Sequence, residues 1–260
     1  MAQWIQFGDR GAIGLTDNQH KALGIDSLMF LGKDDPACGS YACVYNSKDP
    51  NWVVKITGDK EDATGFAKAK GSEFVARTRE IYRLTGLGHP ETGRPMYGLV
   101  VERVDPIVGK ESLFINMVLW GSAGSLNQSG LFDGYEEGKK FTVSPKIRSM
   151  IEPQCRRIVK AAMGRGDARF VNENVETEGC RLLINQTVDA VEDLANRGVQ
   201  FSDNHAGNWG RRKNGRLVAI DLGLSSPPWG APNPKIQRLN GNRGRARGEF
   251  ITKPWPPWRR

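Results

Sequence analysis

No run of the sequence approaches the roughly 18 apolar residues of a membrane-spanning helix, so no membrane partner is expected. The opening residues, MAQWIQFGDR, lack both the basic flank and the apolar core of an export signal. Cys38, Cys43, Cys155 and Cys180 show neither zinc-finger nor C-x-x-C spacing. That spacing points away from a zinc or thioredoxin-like motif and toward free thiols in a reducing cytoplasm. The last 37 residues almost lack acid: two lysines and six arginines stand against Glu249 alone, a net +7 out of +8 for the chain. The same segment lacks helix and strand patterning, because Pro227, Pro228, Pro232, Pro234, Pro254, Pro256 and Pro257 interrupt it. What remains is an ordinary globular composition, 38% hydrophobic and 25% charged, over a length that suits one domain of two lobes or two small domains.

The most informative stretch is Phe201 to Ser225, FSDNHAGNWGRRKNGRLVAIDLGLS. Val218, Ala219 and Ile220 make a short apolar strand ending on Asp221, and Lys213-Asn214-Gly215-Arg216 before it reads as a hairpin turn. A strand, a turn and a second strand bring Asp203, Asn208 and Asp221 toward one point. One carboxylate to accept a hydroxyl proton, and an amide with a second carboxylate to hold Mg²⁺, is the chemistry of a nucleotide site. The same set on a hairpin also occurs as plain turn chemistry.

This stretch resembles the catalytic and metal-binding loops of the protein-kinase-like superfamily, D-x-x-x-x-N followed by D-F-G, here D-L-G. Asp-Asn-His-Ala-Gly-Asn is similar as well to the D-x-H-x-G-N loop of aminoglycoside and choline phosphotransferases. The resemblance implies an α+β, two-lobe fold with an N-terminal antiparallel sheet plus helix, an abbreviated helical C-lobe, and an irregular basic tail. Its expected divisions are an extension over 1–27, an ATP-binding lobe over 28–104, a helical catalytic lobe over 105–223 and the tail over 224–260. ATP and Mg²⁺ are the implied cofactors, with Asp203, Lys55, Asn208 and Asp221 catalytic and Asn208 and Asp221 holding the metal.

Upstream, Leu28 to Gly32 reads as a strand, and Trp52-Val53-Val54-Lys55-Ile56 as another. Lys55 alternates with Val54 and Ile56, so it faces away from what they pack. A lysine embedded in a β-branched strand needs an anionic partner. Gly39, Ser40, Tyr41, Ala42 and Val44 between the strands resemble the kinase phosphate loop, with Ala42 in place of a glycine and an insert (Lys33 to Pro36) behind the first glycine position. Residues 63 to 85 carry helical spacing at Phe74, Thr78, Ile81 and Leu84, and Glu80 on that helix is the expected partner of Lys55, with Glu73 as runner-up. Leu99 to Val104 reads as the last strand of the small lobe, and its resemblance to the kinase hinge implies backbone contacts to adenine around Glu102 to Val104.

Short helices are expected from Thr16 or Asp17 through Leu23, closed by Gly24, and over Glu111 to Trp120. Ser144-Pro145 opens a longer helix that Pro153 would kink or split, and Glu178 to Asn196 reads as the clearest helix of all. No activation segment, A-P-E motif or helical peptide-binding platform follows Asp221, and Phe201-Ser202 stands where the family carries histidine and arginine. A short core with an arginine-rich extension is similar to the small serine/threonine kinases encoded by bacteriophages. The reading is therefore an ATP-dependent serine/threonine kinase acting on protein hydroxyls, in the host cytoplasm if phage-encoded. The alternatives are a small-molecule phosphotransferase and a non-catalytic scaffold. Arginines and Trp229, Trp255 and Trp258 in the tail suit contact with nucleic acid, with an acidic protein, or with the body itself.

Overall fold

The computed structural model describes residues 2–32, 35–39, 41–121, 124–199, 201 and 203–223; the basic, proline-rich tail and Ser40 lie outside the described residues. The fold is α+β, with antiparallel sheets. Strands β1 (Ala2–Gln6) and β2 (Ala12–Thr16) form a hairpin that the sequence did not announce. Helix α1 (Asp17–Leu23) follows as expected, and its start is a capping box: Thr16 Oγ1 accepts from Gln19 N and Thr16 N donates to Gln19 Oε1.

Next come β3 (Ile25–Leu28), a small hairpin of β4 (Phe30–Gly32) and β5 (Asp35–Pro36), then β6 (Ala42–Ser47) and β7 (Trp52–Thr57). Helix α2 (Lys60–Lys68), β8 (Thr78–Gly88) and β9 (Pro95–Glu102) complete a five-stranded sheet in the order β3-β6-β7-β9-β8. The rest comprises β10 (Asp105–Pro106), α3 (Gly109–Ile115) running into a π-helical turn (Asn116–Trp120), α4 (Pro145–Gly164), α5 (Glu173–Asn196), β11 (Trp209–Arg211) and β12 (Leu217–Ala219). No helix among the described residues is long and apolar enough to cross a membrane.

The main departure concerns residues 63 to 85. Only α2 is helical; Gly71, at φ +84°, turns the chain in a conformation that side-chain-bearing residues avoid. From Thr78 the chain is a strand, paired with β9 in the register Ile81↔Leu99 and Tyr82↔Gly98. Leu84 and Tyr82 join one core while Ile81 packs on the other, the two-residue period of a strand. The helical spacing of apolar residues was therefore coincidental, and pairing along β9 overrode it.

The expectation of free thiols is also overturned, since Cys38 is bonded to Cys43 and Cys155 to Cys180. Cys38 and Cys43 face each other across an antiparallel bridge, and Cys155 and Cys180 meet where α4 packs on α5. The first closes a local turn and the second joins two helices, and neither follows a recognisable cysteine spacing. Disulfides persist in oxidising surroundings and are rare in cytosol, so the thiol argument for a cytoplasmic location falls. Helix α4 is not divided at Pro153; burial of Ile147, Ile151, Cys155, Ile158 and Val159 along one side holds it as a single element. Helix α5 starts a turn and more before Glu178, where Asn172 Oδ1 accepts from Asn174 N and Val175 N.

The sheet separates two apolar clusters. Val54, Ile56, Tyr45, Met96 and Val100 pack under the N-terminal hairpin and α1 with Phe7, Leu15 and Leu23. On the opposite face Val53, Leu99 and Val101 join α2 and the helical layer of α3, α4 and α5 in one continuous core. Lys55 projects to this second face, where the polar site lies.

Candidate functional site

Lys55 leaves the centre of β7 and is 4% exposed. Its ammonium lies 2.7 Å from Asp62 Oδ2 and 3.1 Å from Asp221 Oδ1, and donates to the Ile220 carbonyl at 3.4 Å. An amine from an early strand thus meets the carboxylate that ends a late one, 166 positions away along the chain. Burial alone disfavours the Lys55 charge, but Asp221 and Asp62 together outweigh it, and the net displacement of its pKa is upward. Asp221 is held below the ordinary carboxylate range, because attraction to Lys55 and the Gly223 N–H exceed the effect of burial. Asp62 moves the other way: burial dominates and raises it, against the pull of Lys55.

Asp62 is where the expected glutamate is not. Glu80 lies exposed on β8, and Glu73 is exposed and paired with Arg216. The partner of Lys55 comes instead from the first turn of α2, immediately after β7. Asp59 caps that helix, its Oδ1 accepting from Glu61 N at 2.8 Å, and the cap aims the first turn back at the strand. Asp62 Oδ1 also accepts from Leu222 N at 3.0 Å, so one carboxylate ties α2 to both Lys55 and the Asp221 segment. The signal existed in Gly58-Asp59-Lys60-Glu61-Asp62, a cap with acids in the first turn, seven residues past the lysine.

The late hairpin is built as the sequence implied. Gly215 sits at φ +84° in the turn, Arg212 N donates to Arg216 O at 2.9 Å, and β11 pairs with β12. Ile220 N donates to Asn208 O at 2.9 Å, which joins Asn208 to the residue before Asp221. Asn208 is 5% exposed, and its Nδ2 donates to Asp203 O at 2.7 Å. Underneath, buried Phe201 and Trp209 meet edge to face at 5.1 Å, and Asn204 Nδ2 donates to Phe201 O. From the helical side, Asn116 Oδ1 accepts from Ala206 N at 2.8 Å.

His205, the histidine of the loop resembling D-x-H-x-G-N, has its Nε2 3.4 Å from Asp203 Oδ2. Gly207 N donates to His205 Nδ1 at 3.1 Å, so the ring proton belongs on Nε2, facing the Asp203 carboxylate. Gly223 has no room for a side chain: a Cβ there would stand 2.4 Å from Asp59 Oδ2.

Around the loop resembling a phosphate cradle, Val44 pairs with Lys55 in the β6–β7 register and shares its face. Gly39 N is bonded to Ala42 O and Tyr41 O to Gly58 N, both at 2.8 Å, while Arg10 holds Gly39 O from the N-terminal segment. Ser40 lies outside the described residues. The Cys38–Cys43 bond closes the base of this loop. At the end of β9, the N–H groups of Glu102 and Arg103 are taken by Arg77 O (2.8 Å) and Asn51 O (2.9 Å), so neither is available to a base edge. Val104 packs at the rim of the larger core, its Cγ2 2.3 Å from where a Cβ on Gly210 would be.

Among the described residues no group of three or more His, Cys, Asp or Glu side chains is arranged to hold a metal. The Asn208 amide and the Asp221 carboxylate each offer a hard oxygen donor, and the Asp221 side chain is 42% exposed. Oxygen donors of this kind suit Mg²⁺ rather than zinc or a soft transition metal. No family model and no curated protein matches this chain.

Proposed function

We propose that this protein is an ATP-dependent phosphotransferase of protein-kinase-like architecture, acting on serine or threonine hydroxyls of proteins. The observation that carries the reading is the 3.1 Å contact between Lys55 Nζ and Asp221 Oδ1, with Asn208 bonded to the residue before Asp221. A buried ammonium beside an exposed-edge carboxylate and an amide has little use in a structural core, where a buried ion pair is costly to maintain. It suits a polyphosphate, to which the amine offers charge and the two oxygens offer a metal.

In this reading the sheet and α2 form the small lobe, and α3, α4 and α5 with the late hairpin form the catalytic lobe. Lys55, held by Asp62, neutralises the α- and β-phosphates. Asn208 and Asp221 hold Mg²⁺, which when bound neutralises charge on the phosphoryl group in transfer. Asp203, oriented by the Nε2–H of His205, takes the acceptor hydroxyl proton. The base edge meets backbone near Val104, since Glu102 and Arg103 have committed their N–H groups.

The test is incubation of the full chain with γ-labelled ATP, Mg²⁺ and a bacterial lysate, followed by mapping of labelled residues. Label on serine or threonine is expected, and Asp221→Ala should reduce it by roughly 10²- to 10³-fold or more. Turnover unchanged in Asp221→Ala refutes the assignment. Label appearing only on small molecules from an aminoglycoside and metabolite panel selects the small-molecule reading.

A further inference from the structure

Arg212 follows β11 and carries a side chain only 14% exposed. Its Nε donates to both oxygens of Glu102, at 3.1 and 3.0 Å, and its Nη2 lies 2.9 Å from Glu102 Oε2. Nη2 also donates to Val75 O at 2.9 Å, and Nη1 to Glu73 O at 2.7 Å. Glu102, 8% exposed, additionally accepts from Arg77 N and Arg77 Nη2, both at 3.0 Å. One guanidinium therefore grips three pieces of chain: the end of β9, the segment leading into β8, and the hairpin that bears Asn208 before it and Asp221 after it.

The neighbouring backbone follows the same joint. Ala219 N donates to Phe74 O (2.8 Å) and Ala76 N to Ala219 O (3.0 Å), and β10 pairs with β11 through Asp105↔Arg211. These bonds attach the hairpin to β10 and to the segment leading into β8 through backbone alone. Planar, five-donor geometry fixes such a joint in angle as well as in distance, which a lysine cannot do.

We propose that the Glu102–Arg212 pair is a positioning clamp that sets the distance and angle between the hinge end of β9 and the metal-bearing hairpin, and so governs phosphoryl transfer without touching the nucleotide. This rests on the phosphotransferase reading. A nucleotide anchored by its base at the hinge has its terminal phosphate several bonds away, over the hairpin. Rotation at the clamp misaligns that phosphate while base and Lys55 contacts persist. The turnover number should fall far more than the Michaelis constant rises.

The test compares wild type, Arg212→Met, Arg212→Lys and Glu102→Gln as full chains, at a temperature where circular dichroism and melting curves show each folded. Measured are kcat and KM for MgATP with a labelled-phosphate readout, and the Kd of a fluorescent ATP analogue. Arg212→Met and Glu102→Gln should lower kcat roughly 10- to 100-fold, the cost of misplacement on the ångström scale, with KM and analogue Kd changed less than about threefold. Arg212→Lys should recover part of kcat. If kcat per folded molecule is unchanged in Glu102→Gln and in whichever Arg212 variants fold, the clamp is merely structural and the inference is overturned. A wild type that neither binds the analogue nor transfers label overturns the phosphotransferase reading itself, a result the variants cannot mimic.

Discussion

Replacing Asp62 by alanine tests the geometry of the site before any activity is measured. The substitution removes the nearer of two carboxylates from a buried ammonium, and also strips the acceptor from Leu222 N. Breaking a buried ion pair by deleting one partner costs about 3–5 kcal/mol. Lys55 keeps Asp221 and the Ile220 carbonyl, so the lower end, about 3 kcal/mol, applies to the charge. The orphaned Leu222 N–H adds about 1–3 kcal/mol. Asp62→Asn retains an oxygen for Leu222 and should lose only about 1–3 kcal/mol, mostly from the lost charge. Urea unfolding followed by tryptophan fluorescence measures both, and the summed loss of about 4–6 kcal/mol in Asp62→Ala corresponds to a drop of roughly 8–24 °C in Tm for a chain of this size. Glu80→Ala, on an exposed strand position, is the control and should stay within about 0.5 kcal/mol of wild type. Should Asp62→Ala unfold with wild-type stability, the Lys55–Asp62 contact has been misjudged, and the partner of Lys55 must be sought elsewhere.

Other outcomes follow from separate parts of the molecule. The Glu102 carboxyl is held below the ordinary glutamate value of 4.5, because hydrogen bonds from Arg212 and Arg77 outweigh burial. A lowered folded pKa stabilises above the unfolded value and is lost below it; the stability gap between wild type and Glu102→Gln should thus be full at pH 7 and close as pH falls below 4.5, in pH-stepped urea titrations. Removing the Cys155–Cys180 bond, which closes a separation of 25 residues, should cost about 3–4 kcal/mol in the chain-entropy account, against about 2 kcal/mol for the five-residue Cys38–Cys43 loop. Unfolding of the two double-alanine variants ranks them. Gly65→Ala gains up to about 1 kcal/mol of helix propensity in α2, yet its Cβ would lie 2.9 Å from Leu222 Cβ. Overpacking at about 1–3 kcal/mol should win, giving a lower melting temperature and a displaced Asp62.

Sequence reasoning reached those features whose physics is local. Thr16 or Asp17 as a cap, Ser144 with Pro145, and Lys213 to Arg216 each announce a cap or a turn within four residues, and the structure has Thr16 as the first of these. That Lys55 meets an anion was legible because a lysine inside a β-branched strand demands one, and the late hairpin because Lys213 to Arg216 carry its turn. What spacing could not supply was the partner chosen across space. Apolar residues at 74, 78, 81 and 84 satisfy a helix on paper, but β9 offers Thr78–Gly88 a full edge of backbone donors and acceptors, and hydrogen bonds along that edge override weak helical preference. With that segment a strand, Glu80 leaves the neighbourhood of Lys55, and Asp62 takes the place.

The chain's order of residues by itself determined an α+β molecule with its polar chemistry divided between an early strand and a late hairpin. Only the folded arrangement decided that Asp62 holds Lys55, that all four cysteines pair, and that Arg212 locks Glu102 across the joint. The physical reason is common to all three. A charge, a thiol or a guanidinium selects whichever partner the packing presents, whether seven residues along the chain, as Asp62 lies from Lys55, or more than a hundred, as Glu102 lies from Arg212.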